Sequence, residues 1–492
     1  MTTATKKLSP GEPGKLKQLS AAIIVNIAVL TYGMNLGWSS PTSPTLMSNN
    51  TPVGSTPMSS DEISWLNGTL CLGALSALPL CSKLSEKFGR KKFGCLIAIP
   101  LISCWFIKLI AFNYYCLLIS QYLGGIGGAM SFFLIPIYVS EISADSIRGQ
   151  LGTFLVFAVN IGIVLGYTIG ANLSYRLFAA FSMIPPITFF FGFIFMPETP
   201  IYLVRNNRIA DATRSLMWLK NNDTSTVEHE LQHLNKLANE NSDKKSKIGF
   251  KDLFRDRGTT KGFIIALGLM IGQQLCGISA IAMYTSEIFK LAGSSMSPNS
   301  SAIIFGSIQV IGSFLSTIMM EKAGRRSLIL VSCFGMALCH FILGAFLSLM
   351  TIGYEVDSFS WIPIVAMSFY AVTYCLGMGP APFVVASEVF ASDISSFANS
   401  VSMITLWLFA FLTIKFFPIV ISAIGMAGCF YLFSLFCTFT FFFTFFIVPE
   451  TKGKPIELIF AELNGCPDKL DRGYTHTCLE INDRKNSKSS NV

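Results

Sequence analysis

The chain has 492 residues, of which 52% are hydrophobic and only 13% are charged, and its formal net charge is +8 at pH 7. Soluble globular proteins carry about 25% charged residues, so this composition excludes an ordinary soluble protein. The positive charge lies in loops between long apolar runs, and that distribution does not indicate a nucleic-acid-binding surface.

Twelve apolar runs are long enough to cross a membrane as helices. A helix closes its own backbone hydrogen bonds, so about 18 apolar residues suffice to span the hydrocarbon core. We therefore predict an all-α membrane protein with spans at 19–41, 62–83, 93–112, 114–140, 149–170, 177–197, 262–289, 302–320, 328–350, 361–387, 397–421 and 426–448. No small-residue cleavage site follows the first run, which favours a true span over a signal peptide.

The basic residues fall on one side of this topology. All but four of the 36 Lys and Arg lie in the N-terminal arm, the tail or the loops after even-numbered spans. The exceptions are Lys108, Arg176, Lys290 and Lys415, each beside a predicted span end, where a long side chain can snorkel to the interface. Basic loops stay in the cytoplasm, so both termini are predicted to be cytoplasmic, in a multi-pass protein of the plasma membrane.

The domain division follows from the spans. We predict an N-terminal arm (1–18), a six-helix half (19–197), a cytoplasmic linker with short helices (198–260), a second six-helix half (261–449) and a cytoplasmic tail (450–492) that is disordered beyond about residue 464. Sequons at Asn49 and Asn299, both on the predicted outer side, are glycosylation candidates.

His229 and His233 are four residues apart in the linker, but without a third ligand they indicate a solvated helix face rather than a metal site.

Three loop motifs occur once in each half, in the same order. "EKFGRKK" at 86–92 matches "EKAGRR" at 321–326. "SEISADSIR" at 140–148 matches "SEVFASDIS" at 387–395, and "PETPIYL" at 197–203 matches "PETKGKP" at 449–455. A positive-inside bias alone would not repeat the acidic residues and prolines. The chain is therefore predicted to be a duplication, and parallel halves are a transporter architecture.

These motifs resemble those of the sugar porter family of the major facilitator superfamily. The similarity extends from about residue 20 to 460 and includes "GQQLCGISA" at 272–280 and "GPAPFVVASEVF" at 379–390. "GWSSP" at 37–41 and "FAVNIGIV" at 157–164 are most similar to insect facilitated trehalose transporters and related glucose carriers. The resemblance implies the twelve-helix major facilitator fold and alternating-access transport of a small-molecule sugar across the lipid bilayer. It implies no enzyme activity, cofactor, metal, nucleotide or nucleic acid.

Polar side chains inside spans are candidates for the sugar site, because buried polar groups without partners are costly. Gln273 and Gln274 each offer one acceptor and two donors, and the resemblance implies that they are the sugar-binding glutamine pair. Ser279, less than two turns further on, stands where the family has an asparagine.

Further cavity residues are implied by the resemblance: Gln309 as an amide, and Trp407 and Phe383 as aromatic walls. Val156 and Leu406 stand where hexose carriers have a glutamine and an asparagine. Asn160, one turn after Val156, is expected to compensate for the polar group missing there. The cavity is thus predicted to be drier than in those carriers, which argues against plain glucose as the assumed substrate.

The first span indicates how transport is driven. Proton-coupled members of the family carry an aspartate where this chain has Asn35, and an amide cannot titrate. Glu287 is the main remaining acid within a span. Facilitative uniport of trehalose or a hexose such as glucose is therefore favoured, with a non-transporting sugar sensor, a proton symporter and a carrier of another solute as alternatives.

"GGIGG" at 124–128 lies in a span and indicates close helix packing rather than nucleotide binding.

The duplicated loops predict a cytoplasmic gate of charged pairs. Arg90 is predicted to pair with Glu141, and Arg325 or Arg326 with Glu388. The other predicted gate residues are Arg148, Glu198, Glu321 and Glu450. Gln121 and Ile201 stand where the family has arginines, and Ser395 stands where the internal repeat places the counterpart of Arg148. These three missing cations predict a weakened cytoplasmic lock.

Overall fold

The computed structural model describes residues 14–241, 250–390, 394–452, 454 and 456–464, and within these ranges the regular secondary structure is helical. The first half contains α1 (Lys15–Leu46), α2 (Ser60–Phe88), α3 (Arg90–Ile110), α4 (Tyr114–Ile142), α5 (Asp145–Asn172), α6 (Tyr175–Ser182) and α7 (Ile184–Ile194). The linker contains α8 (Pro200–Arg205), α9 (Ile209–Leu219) and α10 (Thr224–Asn241). The second half contains α11 (Arg257–Leu275), α12 (Ile278–Leu291), α13 (Pro298–Ala323), α14 (Arg325–Ile352), α15 (Ile362–Thr373), α16 (Ala381–Glu388) and α17 (Ser395–Ile447), and α18 (Ile456–Asn464) follows.

These helices form twelve membrane spans, which confirms the predicted fold class. Two shorter helices in line, α6 and α7, build the sixth span, and α11 and α12 build the seventh. The 53 residues of α17 would extend about 80 Å at 1.5 Å per residue, more than twice the thickness of a bilayer core. Gly425, with φ 76° and ψ 168°, interrupts α17 and divides it into the last two spans.

Several helices extend beyond the apolar runs that predict them. The first span was predicted at 19–41, but α1 continues from Lys15 to Leu46, through Pro41 and Pro44. Helix ends depend on capping groups rather than on hydropathy. Ser59, for example, starts α2 with a capping box, in which its hydroxyl accepts from the backbone of Glu62 and the Glu62 carboxylate accepts in return.

The linker packs against the first half. The side chain of Gln18 on α1 donates to the carbonyl of Leu219 at the end of α9, and it accepts from the backbone of Ala144 before α5. Because three segments meet at one buried amide, α9 is held beside the first helix. The predicted domain boundaries remain predictions, and the predicted disorder beyond 464 lies outside the described residues.

The two ends of the bundle differ in how the halves meet. We call the end that carries the linker the linker side, and the end that carries loop 47–59 the far side. Near the far side, the hydroxyls of Ser40 on α1 and Ser286 on α12 lie 2.8 Å apart. Tyr167 on α5 donates to the carbonyl of Ala282 on α12 at 2.5 Å. These contacts close the space between the halves toward the far side.

An ion pair strengthens this far-side closure. Lys415 on α17 was predicted to snorkel to the interface; its side chain is 9% exposed, and its ammonium reaches Asp61, whose side chain is 67% exposed. Its ammonium donates to the Asp61 carboxylate and, at 2.8 Å, to the Ser64 hydroxyl, both on α2. It also lies 4.4 Å from the centre of the Trp65 ring. A cation that crosses between the halves holds them together more tightly than a solvated one would.

We expect Lys415→Met to loosen the far side. Partly exposed ion pairs contribute up to about 1 kcal/mol, so hydrogen–deuterium exchange in the peptide covering residues 61–68 should accelerate about two- to fivefold. Lys290→Met is the matched control, because Lys290 is an exposed lysine at the far-side end of α12. Equal exchange in the two variants would mean that Lys415 does not hold the halves together.

Candidate substrate-binding site and charged gate

A cavity of about 150 Å³ lies between the two halves, near the middle of the bundle. The structure brings all seven predicted site residues to its wall: Asn160, Gln273, Gln274, Ser279, Gln309, Phe383 and Trp407. Val156 and Leu406, the predicted apolar replacements, also line it. The full lining comes from eight spans, the first, second, fourth, fifth, seventh, eighth, tenth and eleventh. The role of the seven residues as ligand contacts remains a prediction.

The seventh span is broken where it meets the cavity. Gly277 separates α11 from α12 with a φ of 88°, a conformation that favours glycine. A Cβ there would also approach the Phe433 ring to within 2.7 Å. The break lets Ser279 turn back toward α11, where its hydroxyl donates to Gln274 Oε1 at 2.6 Å. Gln274 therefore keeps its amide N–H groups for other acceptors.

Gln273 is held by a second irregular segment. Its Nε2 donates to the carbonyls of Met378 at 2.9 Å and Gly379 at 2.7 Å. These carbonyls lie at the end of a π-helix, Tyr374–Met378, whose wide turn frees backbone acceptors from α-helical pairing. Sequence patterns gave no sign of this π-helix, although π-turns occur frequently at functional sites.

Two amide oxygens at the cavity have no hydrogen-bond partner among the described residues. They are Gln273 Oε1 and Gln309 Oε1, on residues that are each 2% exposed. An unsatisfied buried acceptor costs about 1–3 kcal/mol. Since both residues line the cavity, these oxygens are candidate acceptors for hydroxyl groups of a ligand.

Asn160 lines the cavity but already has a partner. Its Nδ2 donates to Ser313 Oγ on α13 at 2.5 Å, and Ser313 in turn donates to the Gln309 carbonyl at 2.9 Å. Asn160 was expected to compensate for Val156 as a polar contact. The bond to Ser313 instead uses its amide nitrogen to join the two halves at the cavity wall.

An aromatic cluster forms another part of the wall. Trp407 meets Tyr32 edge-on at 5.9 Å and Phe132 at 6.1 Å between ring centres, and these two rings are 5.6 Å apart. Tyr32, Phe132 and Tyr374 were missed at the sequence level. Aromatic residues are so frequent in these apolar spans that no local pattern distinguishes those that face a cavity.

A buried polar cluster lies beside this site, within the first half. Asn35 Nδ2 donates to Gln121 Oε1 at 3.0 Å, and Asn35 Oδ1 accepts a hydrogen bond from the Lys108 ammonium. Lys108 was predicted to snorkel, but it is fully buried. Its ammonium lies 3.8 Å from the Trp38 ring centre and 4.5 Å from that of Trp105. Within the described part of the chain it forms no salt bridge, so the aromatic faces and one amide stabilise the charge.

Gln121 is therefore not a gate position, contrary to the prediction. It lies near the far-side end of α4 and is fully buried against Asn35. Ile201 on α8 and Ser395, the first residue of α17, do lie on the linker side. The error arose because sequence comparison gives the residue type that is replaced, not its depth in the membrane.

In the first half the gate pair is bidentate. Arg90 Nε and Nη2 donate to the two oxygens of Glu141 at 3.1 and 3.0 Å, with both side chains at most 10% exposed. Glu198 contacts the same loop through its backbone: the Glu198 carboxylate accepts from the N–H groups of Arg90 and Lys91 and so caps α3. Burial raises the pKa of Glu198, and the N–H groups of Thr199, Lys91 and Arg90 oppose this rise.

In the second half the same arrangement is looser. Arg325 Nη2 donates to Glu388 Oε1 at 3.2 Å, while Arg325 Nε and Glu388 Oε2 are buried with no partner among the described residues. Glu450 repeats the role of Glu198, since it accepts from the backbone of Arg325 and Arg326. Arg326 Nη2 donates to the Phe445 carbonyl rather than to Glu388.

The repeated glycine of the loop motif makes these caps possible. Gly89 and Gly324 have φ values of 85° and 88°. A Cβ at either position would come within 2.3 Å of Glu198 or 2.6 Å of Glu450, respectively. The "Gly-Arg" pattern therefore provides both the turn and the space for the capping carboxylate.

The remaining predicted residues are more peripheral. Arg148 is exposed, and its Nη2 donates to the Ser143 carbonyl at 3.3 Å. The side chain of Glu321 lies outside the described residues. Asn49 is exposed in loop 47–59, whereas Asn299 is half-buried in α13 and accepts from Ser286. Glycosylation stays a prediction, and Asn49 is the more accessible of the two.

The comparisons with known proteins agree with this architecture. Residues 21–463 match the family model described as "Sugar (and other) transporter". The chain is 32% identical to the facilitated trehalose transporter Tret1 of Bombyx mori over 91% of this chain and 86% of that protein. It is also 32% identical to the protein of the same name from Polypedilum vanderplanki, over 91% of this chain and 88% of that protein.

Solved structures share the fold. The inward-open xylose transporter XylE from E. coli matches with a TM-score of 0.74 and 21% identity, over 90% of this chain and 99% of that one. A structure of the proton:xylose symporter XylE bound to 6-bromo-6-deoxy-D-glucose matches with a TM-score of 0.73 and 21% identity, over 92% of this chain and 100% of that one. The fold and the cavity define a major facilitator membrane carrier. The chain belongs to the sugar (and other) transporter family.

The two gate pairs predict unequal effects of the same substitution. Arg90→Lys loses one of two buried charge-assisted bonds and should lower the free energy of unfolding by about 1.5–3 kcal/mol. Arg325→Lys can retain its single contact and should cost less than about 1 kcal/mol. Thermal unfolding midpoints in detergent, with the exposed Arg208→Lys as control, would measure the ranking. An equal loss at both sites would contradict the asymmetry.

Proposed function

We propose that this protein is a facilitative carrier that moves a sugar, trehalose or a hexose such as glucose, across the plasma membrane by alternating access. The observation that carries the proposal is the pair of unpartnered acceptors, Gln273 Oε1 and Gln309 Oε1, at a cavity between the halves. Sugar hydroxyls are donors that would satisfy both oxygens. The N–H groups of Gln274 offer complementary donors for a hydroxyl oxygen.

Uniport is supported by the neutral pair at the first span. Asn35 and Gln121 hydrogen-bond to each other through amides, which neither accept nor release a proton in the physiological range. The insect relatives at about one-third identity are named as facilitated transporters. Sugar movement would then follow its concentration gradient alone.

One observation favours proton-coupled transport as the second candidate. Lys108 contacts Asn35 directly and is a buried titratable group in the same cluster. In this alternative the Lys108 amine would be the proton carrier, at the place where proton-coupled relatives have an acid.

We further propose that both termini and the linker side are cytoplasmic. The concentration of Lys and Arg on that side supports this orientation. The charged pairs Arg90–Glu141 and Arg325–Glu388 would then form at the cytoplasmic face. Each pair lies within one half, so the two pairs would stabilise the helix ends of their own half and would not link the two halves.

The decisive measurement is uptake of labelled trehalose and labelled glucose into liposomes that contain the full chain, with and without a pH gradient. Uniport predicts uptake of at least one sugar at a rate that an imposed gradient leaves unchanged. Acceleration by an inward proton gradient that Lys108→Met abolishes would establish the proton-coupled alternative. Binding of a sugar without uptake would indicate a sensor.

Gln309→Leu tests the unpartnered acceptor. This variant removes a buried oxygen that lacks a partner, so we expect thermal stability to stay constant or rise while kcat/KM for sugar uptake falls about tenfold or more, in line with the about 1–3 kcal/mol cost of a missing polar contact. Ser307→Ala on the same helix is the control, because Ser307 bonds only to its own helix, at the Ile303 carbonyl. Unchanged uptake by Gln309→Leu would remove Gln309 from the site.

A further inference from the structure

The polar side chains of the cavity wall are unevenly divided between the two halves, although both halves also supply apolar residues. The second half supplies five polar side chains, on α11, α12, α13 and the π-helix: Gln273, Gln274, Ser279, Gln309 and Tyr374. Since these five side chains all belong to the second half, a ligand in the cavity would find their hydrogen-bonding groups on the same side.

The first half supplies an almost entirely aliphatic and aromatic surface. Val156, Val159 and Ile163 follow one face of α5 at helical spacing, and all three line the cavity. Leu36, Leu70 and Phe132 extend this surface onto α1, α2 and α4. The polar exceptions are Tyr32 and Asn160, and the amide nitrogen of Asn160 is occupied by Ser313.

This asymmetry has a consequence for the ligand. A sugar hydroxyl pressed against Val156 or Ile163 loses its hydrogen bonds to water, and these two side chains offer no replacement. Each such hydroxyl weakens binding on the order of tenfold. A ligand that presents C–H, alkyl or aryl groups to that side avoids this loss and gains from the burial of apolar surface.

We infer that the preferred substrates are amphipathic sugars: monosaccharides that carry an apolar substituent, such as alkyl or aryl glycosides. The sugar hydroxyls bind the glutamine side in the second half, and the substituent lies against the valine and isoleucine face of α5. The inference rests on the proposed sugar transport and specifies its substrate class. It does not follow from the relatives, whose names refer to trehalose and xylose.

The test is competition in liposomes that contain the full chain. Labelled glucose uptake is measured against unlabelled glucose, methyl glucoside and phenyl glucoside, with both anomers of each glucoside. Direct entry of the phenyl glucosides is followed by mass spectrometry. We expect at least one phenyl glucoside to compete at a concentration tenfold or more below that of glucose, with the methyl glucoside between them.

Substitutions at Val156 connect this preference to the apolar wall. Val156→Gln should reduce or reverse the preference for phenyl glucoside over glucose, because it adds a hydrogen-bonding group to the dry side. Val156→Thr, which is nearly the same size, should act in the same direction and serves if the glutamine variant does not fold. Val156→Leu keeps the wall apolar and should retain the preference.

The outcomes separate this inference from the proposed function. Glucose uptake with no advantage for phenyl glucoside would overturn the inference and leave sugar transport intact. A preference that Val156→Gln and Val156→Thr leave unchanged would also overturn it, since the substituent would then bind elsewhere. If neither glucose, trehalose nor any glucoside binds or enters, the proposed function itself fails.

Discussion

The structure depends on one constraint: inside a bilayer, every polar group must find its partner within the protein. This requirement explains why the regular helices are broken where the cavity lies. The turn at Gly277 brings Ser279 to Gln274, and the π-helix before Gly379 supplies carbonyls to Gln273. Both of these irregular segments lie beside the cavity, as expected for membrane carriers. The breaks both satisfy the amides and leave selected oxygens unpaired for a ligand.

The same constraint explains the buried charges. Lys108 and Lys415 both lie inside the protein, yet their partners differ. Lys415 reaches a carboxylate on the opposite half and so joins the halves at the far side. Lys108 lies between two indole rings and the Asn35 amide, all within the first half. One lysine therefore contributes to a contact that must break during alternating access, while the other belongs to the interior of a unit that can move as a rigid body.

Duplication produced two copies of one loop, but their environments diverged. In both halves a glycine with positive φ turns the chain and a glutamate caps the following helix, at Glu198 and Glu450. The arginine pairs are unequal, since Arg90 binds Glu141 through two bonds and Arg325 binds Glu388 through one. The cap requires only backbone groups and a glycine, so it survives sequence divergence. The pair depends on side-chain placement and is more easily weakened.

The sequence by itself predicted the spans, the duplication and the glutamine pair at the cavity, because each is recognised from short continuous stretches of the chain. Only the tertiary structure decided which polar groups are satisfied. Asn35 and Gln121 are 86 positions apart in the chain and form a hydrogen bond in the structure. Gln121 is not a gate residue because it lies deep in the bundle. In a soluble helix an apolar stripe reveals the buried face. Here both the lipid and the protein core are apolar, so the pattern of apolar residues does not show which face of a helix points inward. The inward direction of Lys108 could therefore not be predicted.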